Sequence, residues 1–238
     1  MQKLSALASA AIIAVTMFTA QSSWGQTSVF ATDFTPSPAS DSPMQGIGWT
    51  GYQGSSADSV WESGETPSVG AWHSLSGSGY LFVTGNLGPL LLFTETSPFG
   101  ASTAQYAFGQ IDSVTMEMRN QIGTEDLKVA IRVGSNWYAS VENFNNPSAN
   151  TAVGGTLDFS TAQWRALTVN PGVGLSIGAS DAVITESDLV TAVGVFTDNV
   201  DDKIRLYSYQ VNAIPEPSSA SLLLGVLVGL GVFSRRSL

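Results

Sequence analysis

Hydrophobic and polar positions alternate with a period of two along much of the chain. Leu127, Val129, Ile131 and Val133 are interleaved with Lys128, Ala130 and Arg132, a pattern that puts one face of a strand in a core and the other toward water. Val114, Met116 and Met118 alternate in the same way with Thr115, Glu117 and Arg119, and the polar, glycine-containing stretch 121–126 separates the two. Together they predict an antiparallel hairpin. Further strands are predicted over 29–34, 79–84, 90–94, 104–108, 136–141, 163–169, 189–196 and 203–211, punctuated by Gly, Pro, Ser, Asn and Asp clusters that make turns. The stretch 185–192 is short and rich in β-branched residues, which predicts a turn leading into a strand rather than a helix. Many short strands with regular turns, and no fixed-length repeat, predict an all-β antiparallel two-sheet sandwich of the jelly-roll type.

The two ends of the chain break this pattern. Lys3 precedes an apolar run over 4–20, the arrangement of a secretory signal peptide. Polar residues from Gln21 to Ser23 end the run too early for a permanent span. Cleavage sites are offered before Gln26 and after Ala20. At the other end Pro215, Glu216 and Pro217 stop any preceding element and lead into an apolar run over 220–233, closed by Arg235 and Arg236. That run has 14 residues, fewer than the roughly 17 to 25 of a stable span, and snorkelling arginines would extend its reach. The expected layout is a signal peptide helix at 1–25, a sandwich at 26–212 and a sorting segment with a short transmembrane helix at 213–238.

Pro215, Glu216 and Pro217, the apolar run and the basic end, in that order at the terminus, resemble the PEP-CTERM sorting signal of exported bacterial proteins. The resemblance implies an exosortase-type processing enzyme as partner, at least transient contact with the inner membrane, and delivery to the cell envelope or extracellular polysaccharide. The body, from Val129 to Val133, Asn136 to Ser140, Leu157 to Ser160 with Trp164, and Thr191 to Asp198, resembles the jelly rolls carried by such proteins, akin to concanavalin-like or carbohydrate-binding sandwiches. This implies an envelope or matrix accessory domain with no defined catalytic residues.

Charge and composition narrow the partners. Setting aside Lys3, Arg235 and Arg236 from 9 basic residues, and Glu216 from 19 acidic ones, leaves the body about twelve units negative. No Lys or Arg stands between Lys3 and Arg119. Nucleic acid and anionic membrane surfaces are poor partners for such a body. The chain has no cysteine and a single histidine, His73, which excludes disulfides, thiol catalysis, cysteine zinc sites and multi-histidine metal centres.

Candidate chemistry is sparse. Residues 46–51 satisfy G-x-G-x-x-G, but Pro43 upstream and a Gln-Gly-Ser-Ser stretch downstream lack the strand and helix that a dinucleotide site needs, so a glycine-rich strand or loop is the favoured reading. His73 lies beside Ser74 without a nucleophile elbow, and a triad is not expected. Asp198, Asp201 and Asp202 form the densest oxygen-ligand cluster, open to a structural calcium or to a plain solvated turn. Trp49, Tyr52, Trp61 and Trp72 are interspersed with Gly and Ser, and their rings are open either to stacking on sugars or to core packing. Glu62, Glu65 and Glu117 are the acids open to glycan hydrolysis, and Glu117 has Arg119 or Arg132 as an alternative partner. The sequence thus points to a non-enzymatic, exported structural or interaction protein of the envelope or matrix, with glycan affinity as a property to test and no cofactor beyond that calcium. The alternative is a secreted polysaccharide-degrading enzyme of jelly-roll type.

Overall fold

The computed structural model describes residues 27–34, 47–53, 69–73, 79–83, 89–120, 126–145, 151–170, 174–198 and 204–214. Ser28–Ala213 forms one compact unit. Both chain ends, with the sorting residues Pro215, Glu216, Pro217, Arg235 and Arg236, the expected signal helix and the short transmembrane helix, lie outside the described residues.

In chain order the strands are β1 (Thr27–Thr32), β2 (Trp49–Gln53), β3 (Val69–His73), β4 (Gly79–Val83), β5 (Leu90–Thr94), β6 (Ile111–Asn120) and β7 (Asp126–Val133). They continue as β8 (Asn136–Ser140), β9 (Phe144–Asn145), β10 (Val153–Asp158), β11 (Trp164–Asn170), β12 (Gly174–Asp181), β13 (Val190–Thr197) and β14 (Ile204–Ala213). Among the described residues they build a six-stranded sheet of order β10-β6-β14-β4-β3, with β1 also on β14. An eight-stranded sheet has the order β12-β11-β8-β7-β13-β5-β2, with β9 also on β7. The pairings are antiparallel, and the chain is an all-β two-sheet sandwich.

The expected β6–β7 hairpin does not form. β6 pairs with β10 and β14 in one sheet, and β7 pairs with β8 and β13 in the other. The apolar stripes of the two strands are the reason. Val114, Met116 and Met118 face Leu127, Val129 and Ile131 across the core instead of lying beside them on one face, so both stripes are removed from water together. The expected strand over 104–108 is also replaced. Gln110 Oε1 accepts the Ala107 N–H at 2.8 Å, and Phe108 and Gly109 donate to Asp188 and Glu186 carbonyls. A short 3-10 helix at Phe108–Gln110 and a single bridge from Ala107 to Leu189 result. The turn before β13 forms as expected, closed by Thr185 N donating to Asp188 Oδ2 at 2.8 Å.

Tyr209 of β14 spans the space between the sheets and donates its hydroxyl to the Gly194 carbonyl of β13 at 3.1 Å. The bond satisfies a phenol that is fully enclosed, and burial pushes its ionisation far above the ordinary phenol range. Gly194 is needed where it stands, because a Cβ there would come within 2.0 Å of the Leu92 carbonyl oxygen. The outward face of the eight-stranded sheet is apolar as well. Leu91, Phe93, Ala130, Trp137, Ala192 and Phe196 form a second buried cluster on it.

Candidate functional site

The aromatic residues that the sequence offered for sugar stacking fall in different environments. Trp49 enters β2 after a turn at Gly48, whose φ of +76° suits glycine. Its ring is 1% exposed and meets Phe34 and Tyr209 edge-on at 5.2 and 5.5 Å. A ring enclosed in this way has no face for a sugar, so Trp49 is a core residue and is withdrawn as a glycan contact. The same turn-and-edge-strand geometry accounts for the G-x-G-x-x-G spacing. Tyr52 is half-buried and sits on β2, stacked on Phe93 at 5.3 Å, and Phe93 meets Trp137 edge-on at 4.8 Å. Trp61 lies outside the described residues, and of Trp72 only its place on β3 opposite Tyr80 is described.

Asp198 is exposed just beyond β13, whereas Asp201, Asp202, Glu62 and Glu65 lie outside the described residues. Among the described residues no three His, Cys, Asp or Glu side chains gather as a metal site. Glu117 stands exposed on the six-stranded sheet opposite Gly154 and Ser208. Arg132 forms an ion pair with Glu95, not with Glu117, and lies over the Trp137 ring at 5.5 Å. Its guanidinium also donates to the Thr191 hydroxyl at 2.9 Å and to the Thr191 carbonyl at 3.2 Å. This system fixes the edge of the outer aromatic layer.

A groove of about 430 Å3 opens at the free edge of β10, a volume within the range of small-ligand sites. One wall is β10, the end strand of its sheet among the described residues, whose every second N–H and C=O points away from β6. The other wall is the connection from β8 to β9, carrying Glu142 and Asn143, with Phe144 at the start of β9, and the turn after β10 closes one side with Thr161.

Local hydrogen bonds hold these walls. Ser140, fully buried, accepts the Val129 N–H at 3.0 Å and donates its hydroxyl to the Glu142 carbonyl at 2.8 Å. Gln163 N donates to Glu142 Oε1 at 3.3 Å. Asn143 donates to Asp126 Oδ2 at 2.8 Å, while Lys128 Nζ donates to Asn143 Oδ1 and, at 3.1 Å, to the Val141 carbonyl. Across the groove Asp158 Oδ1 accepts both the Ser160 N–H at 2.8 Å and the Ser160 hydroxyl at 2.7 Å. Those two donors hold the Asp158 carboxyl below the usual carboxylate range. The Phe144 ring lies against Gly155, where an added Cβ would come within 2.5 Å of the ring. The missing side chain is what lets the ring settle on the strand.

The arrangement combines two carboxylates, an amide, hydroxyls, unpaired strand backbone and one aromatic ring in a single open groove. Such groups recognise polyols by hydrogen bonding with a stacking face. Sequence reasoning missed the groove because its parts come from separate segments. The Asp158-Phe159-Ser160 turn and the adjacent glycines Gly154 and Gly155 were the only local signals.

No protein-family model matches the sequence, and no curated protein matches it. Among solved structures the chain is similar to the xylan-binding CBM22-1 domain of Paenibacillus barcinonensis Xyn10C, at 11% identity and a TM-score of 0.45, covering 81% of this chain and 98% of that one. It is also similar to a family 11 carbohydrate-binding module from Clostridium thermocellum, solved with a β-1,3-1,4-mixed-linked tetrasaccharide. That match has 9% identity and a TM-score of 0.46, covering 81% of this chain and 97% of that one. A third is the mannan-recognising module TmCBM27, at 13% identity and a TM-score of 0.40, covering 79% and 98%. At these TM-scores the likenesses carry no argument about ligand or activity.

Proposed function

We propose that this chain is an exported, non-enzymatic protein of the cell envelope or extracellular polysaccharide, whose sandwich binds glycan in the groove beside β10. The observation that carries the reading is the groove itself: about 430 Å3, open, and walled by Glu142, Asp158, Phe144 and the free edge of β10. Export rests on the apolar N-terminal run, and sorting rests on the resemblance of the segment from Pro215 to Arg236 to a PEP-CTERM signal, with an exosortase-type enzyme as processing partner. Affinity electrophoresis of the full chain through gels holding neutral β-glucan, xylan or mannan tests the binding. Retardation by at least one polymer, lost in Glu142→Ala and in Gly154→Arg, is expected. Unretarded migration in every gel contradicts it. Cell fractionation with intact-mass analysis tests the address, and an untrimmed chain in the cytosol contradicts it.

One observation favours a second reading, a polysaccharide-degrading enzyme: Glu142 and Asp158 line the same groove, as a hydrolase pair would. Against it, Ser160 keeps Asp158 ionised, which suits a hydrogen-bond acceptor and not a general acid, whose pKa must be raised. Reducing-sugar release by the purified chain, abolished by Glu142→Gln, would establish the enzyme instead.

A further inference from the structure

We infer that the groove beside β10 prefers glycans carrying free amino groups and rejects uronate-bearing ones; this rests on the glycan reading of the same groove. The lining carries two carboxylates, and its donors are uncharged backbone and amide N–H groups and hydroxyls. Glu142 Oε1 takes one N–H at 3.3 Å, and its second oxygen is open to a ligand. Asp158 commits Oδ1 to Ser160 and leaves Oδ2 for the groove. The outward residues of the β10 edge add both N–H and C=O groups.

The nearby side-chain donors are partly committed. The Asn143 amide gives one of its two N–H groups to Asp126 at 2.8 Å, and the Thr156 hydroxyl shares a hydrogen bond with Thr115 at 3.1 Å. Among the described residues neither Lys nor Arg lines the groove. Lys128, on β7, is turned onto the Val141 carbonyl and the Asn143 side chain. A ligand that brings donors to the two carboxylates is therefore favoured. Hydroxyl groups meet that need, and an ammonium meets it with charge-assisted bonds of roughly twice the strength of neutral ones. A sugar carboxylate would face two carboxylates and a body about twelve units negative, which costs affinity and slows encounter.

Isothermal titration of the full chain at about pH 5.5, where amino sugars are protonated and carboxylates ionised, reads the preference. The probes are a glucosamine hexamer, its N-acetylated counterpart and an oligogalacturonate. The glucosamine hexamer is expected to bind roughly five- to tenfold tighter than the N-acetylated one, with oligogalacturonate weakest. Glu142→Gln should bring the ratio of the two hexamers near one. Glu186→Gln, which removes a charge from the exposed turn before β13, should leave it unchanged. Equal affinities for the two hexamers overturn the inference and leave the glycan reading standing. A preference that survives Glu142→Gln combined with Asp158→Asn comes from overall charge and also overturns it. Failure to bind any of these probes or any neutral glycan removes the glycan reading, and the inference with it.

Discussion

The outer face of the eight-stranded sheet and the groove beside β10 differ in the way that matters for binding. The first carries the aromatics, with Tyr52, Phe93 and Trp137 in contact and Arg132 clamped over the Trp137 ring. It is closed: Phe93 is 3% exposed and Trp137 8%. The groove has one aromatic ring, yet it is open and its polar walls are fixed by the buried Ser140 and by the Asp158 turn. Among the described residues ring count therefore marks packing, and accessible, oriented polar atoms mark the site.

The largest effect that sharpens this contrast is expected at the aromatic layer. Phe93→Ala or Trp137→Ala should cost about 3–5 kcal/mol of stability in urea unfolding, while the folded fraction keeps its glycan affinity. Little loss of stability with loss of binding would make the outer face the binding surface and break the comparison. At the groove, Gly155→Ala forces a Cβ against the Phe144 ring. It should cost about 1–3 kcal/mol as overpacking and weaken glycan binding several-fold as the ring is displaced. Unchanged binding would remove Phe144 from the site. Between the two regions, Tyr52→Ala removes a half-buried stacking partner of Phe93. Beyond its area, that pair is worth about 0.5–1.5 kcal/mol, and binding should not change.

The smallest effect is a pH dependence. Ser160 lowers the folded-state pKa of Asp158 from its model-compound value of 3.8, so this contribution to stability is present above that value and fades as pH falls through the lower folded-state value. Asp158 is almost wholly exposed to solvent, and screening keeps the contribution small. The stability gap between the wild type and Asp158→Asn should thus narrow as pH falls below about 4. A gap that widens on acidification would assign the opposite sign to the Ser160 contacts.

The sandwich was legible where one strand face alone is buried. Val114, Met116 and Met118 announce β6 because the more exposed Thr115, Glu117 and Arg119 interrupt them. β5 and β13 were legible for another reason: they are buried on both faces and read as nearly continuous apolar runs. β10 and β12 were not legible, since Gly154, Gly155, Gly178, Ala179 and Ser180 carry little side-chain signal. Which strands share a sheet was hidden as well. Period two says which way a side chain points and nothing about its lateral neighbour, hence the error over β6 and β7. The groove was illegible because segments far apart in sequence meet only after the sheets pack, and because the turn that fixes Asp158 reads as an ordinary surface turn.

Hydrogen exchange of the full chain, with and without saturating glycan, tests the central claim most directly. The account predicts slowed exchange in 142–144 and 153–158, with no change along Trp49–Gln53 or Leu90–Thr94. Protection confined to those two outer-layer strands, with the β10 edge unaffected, would contradict it.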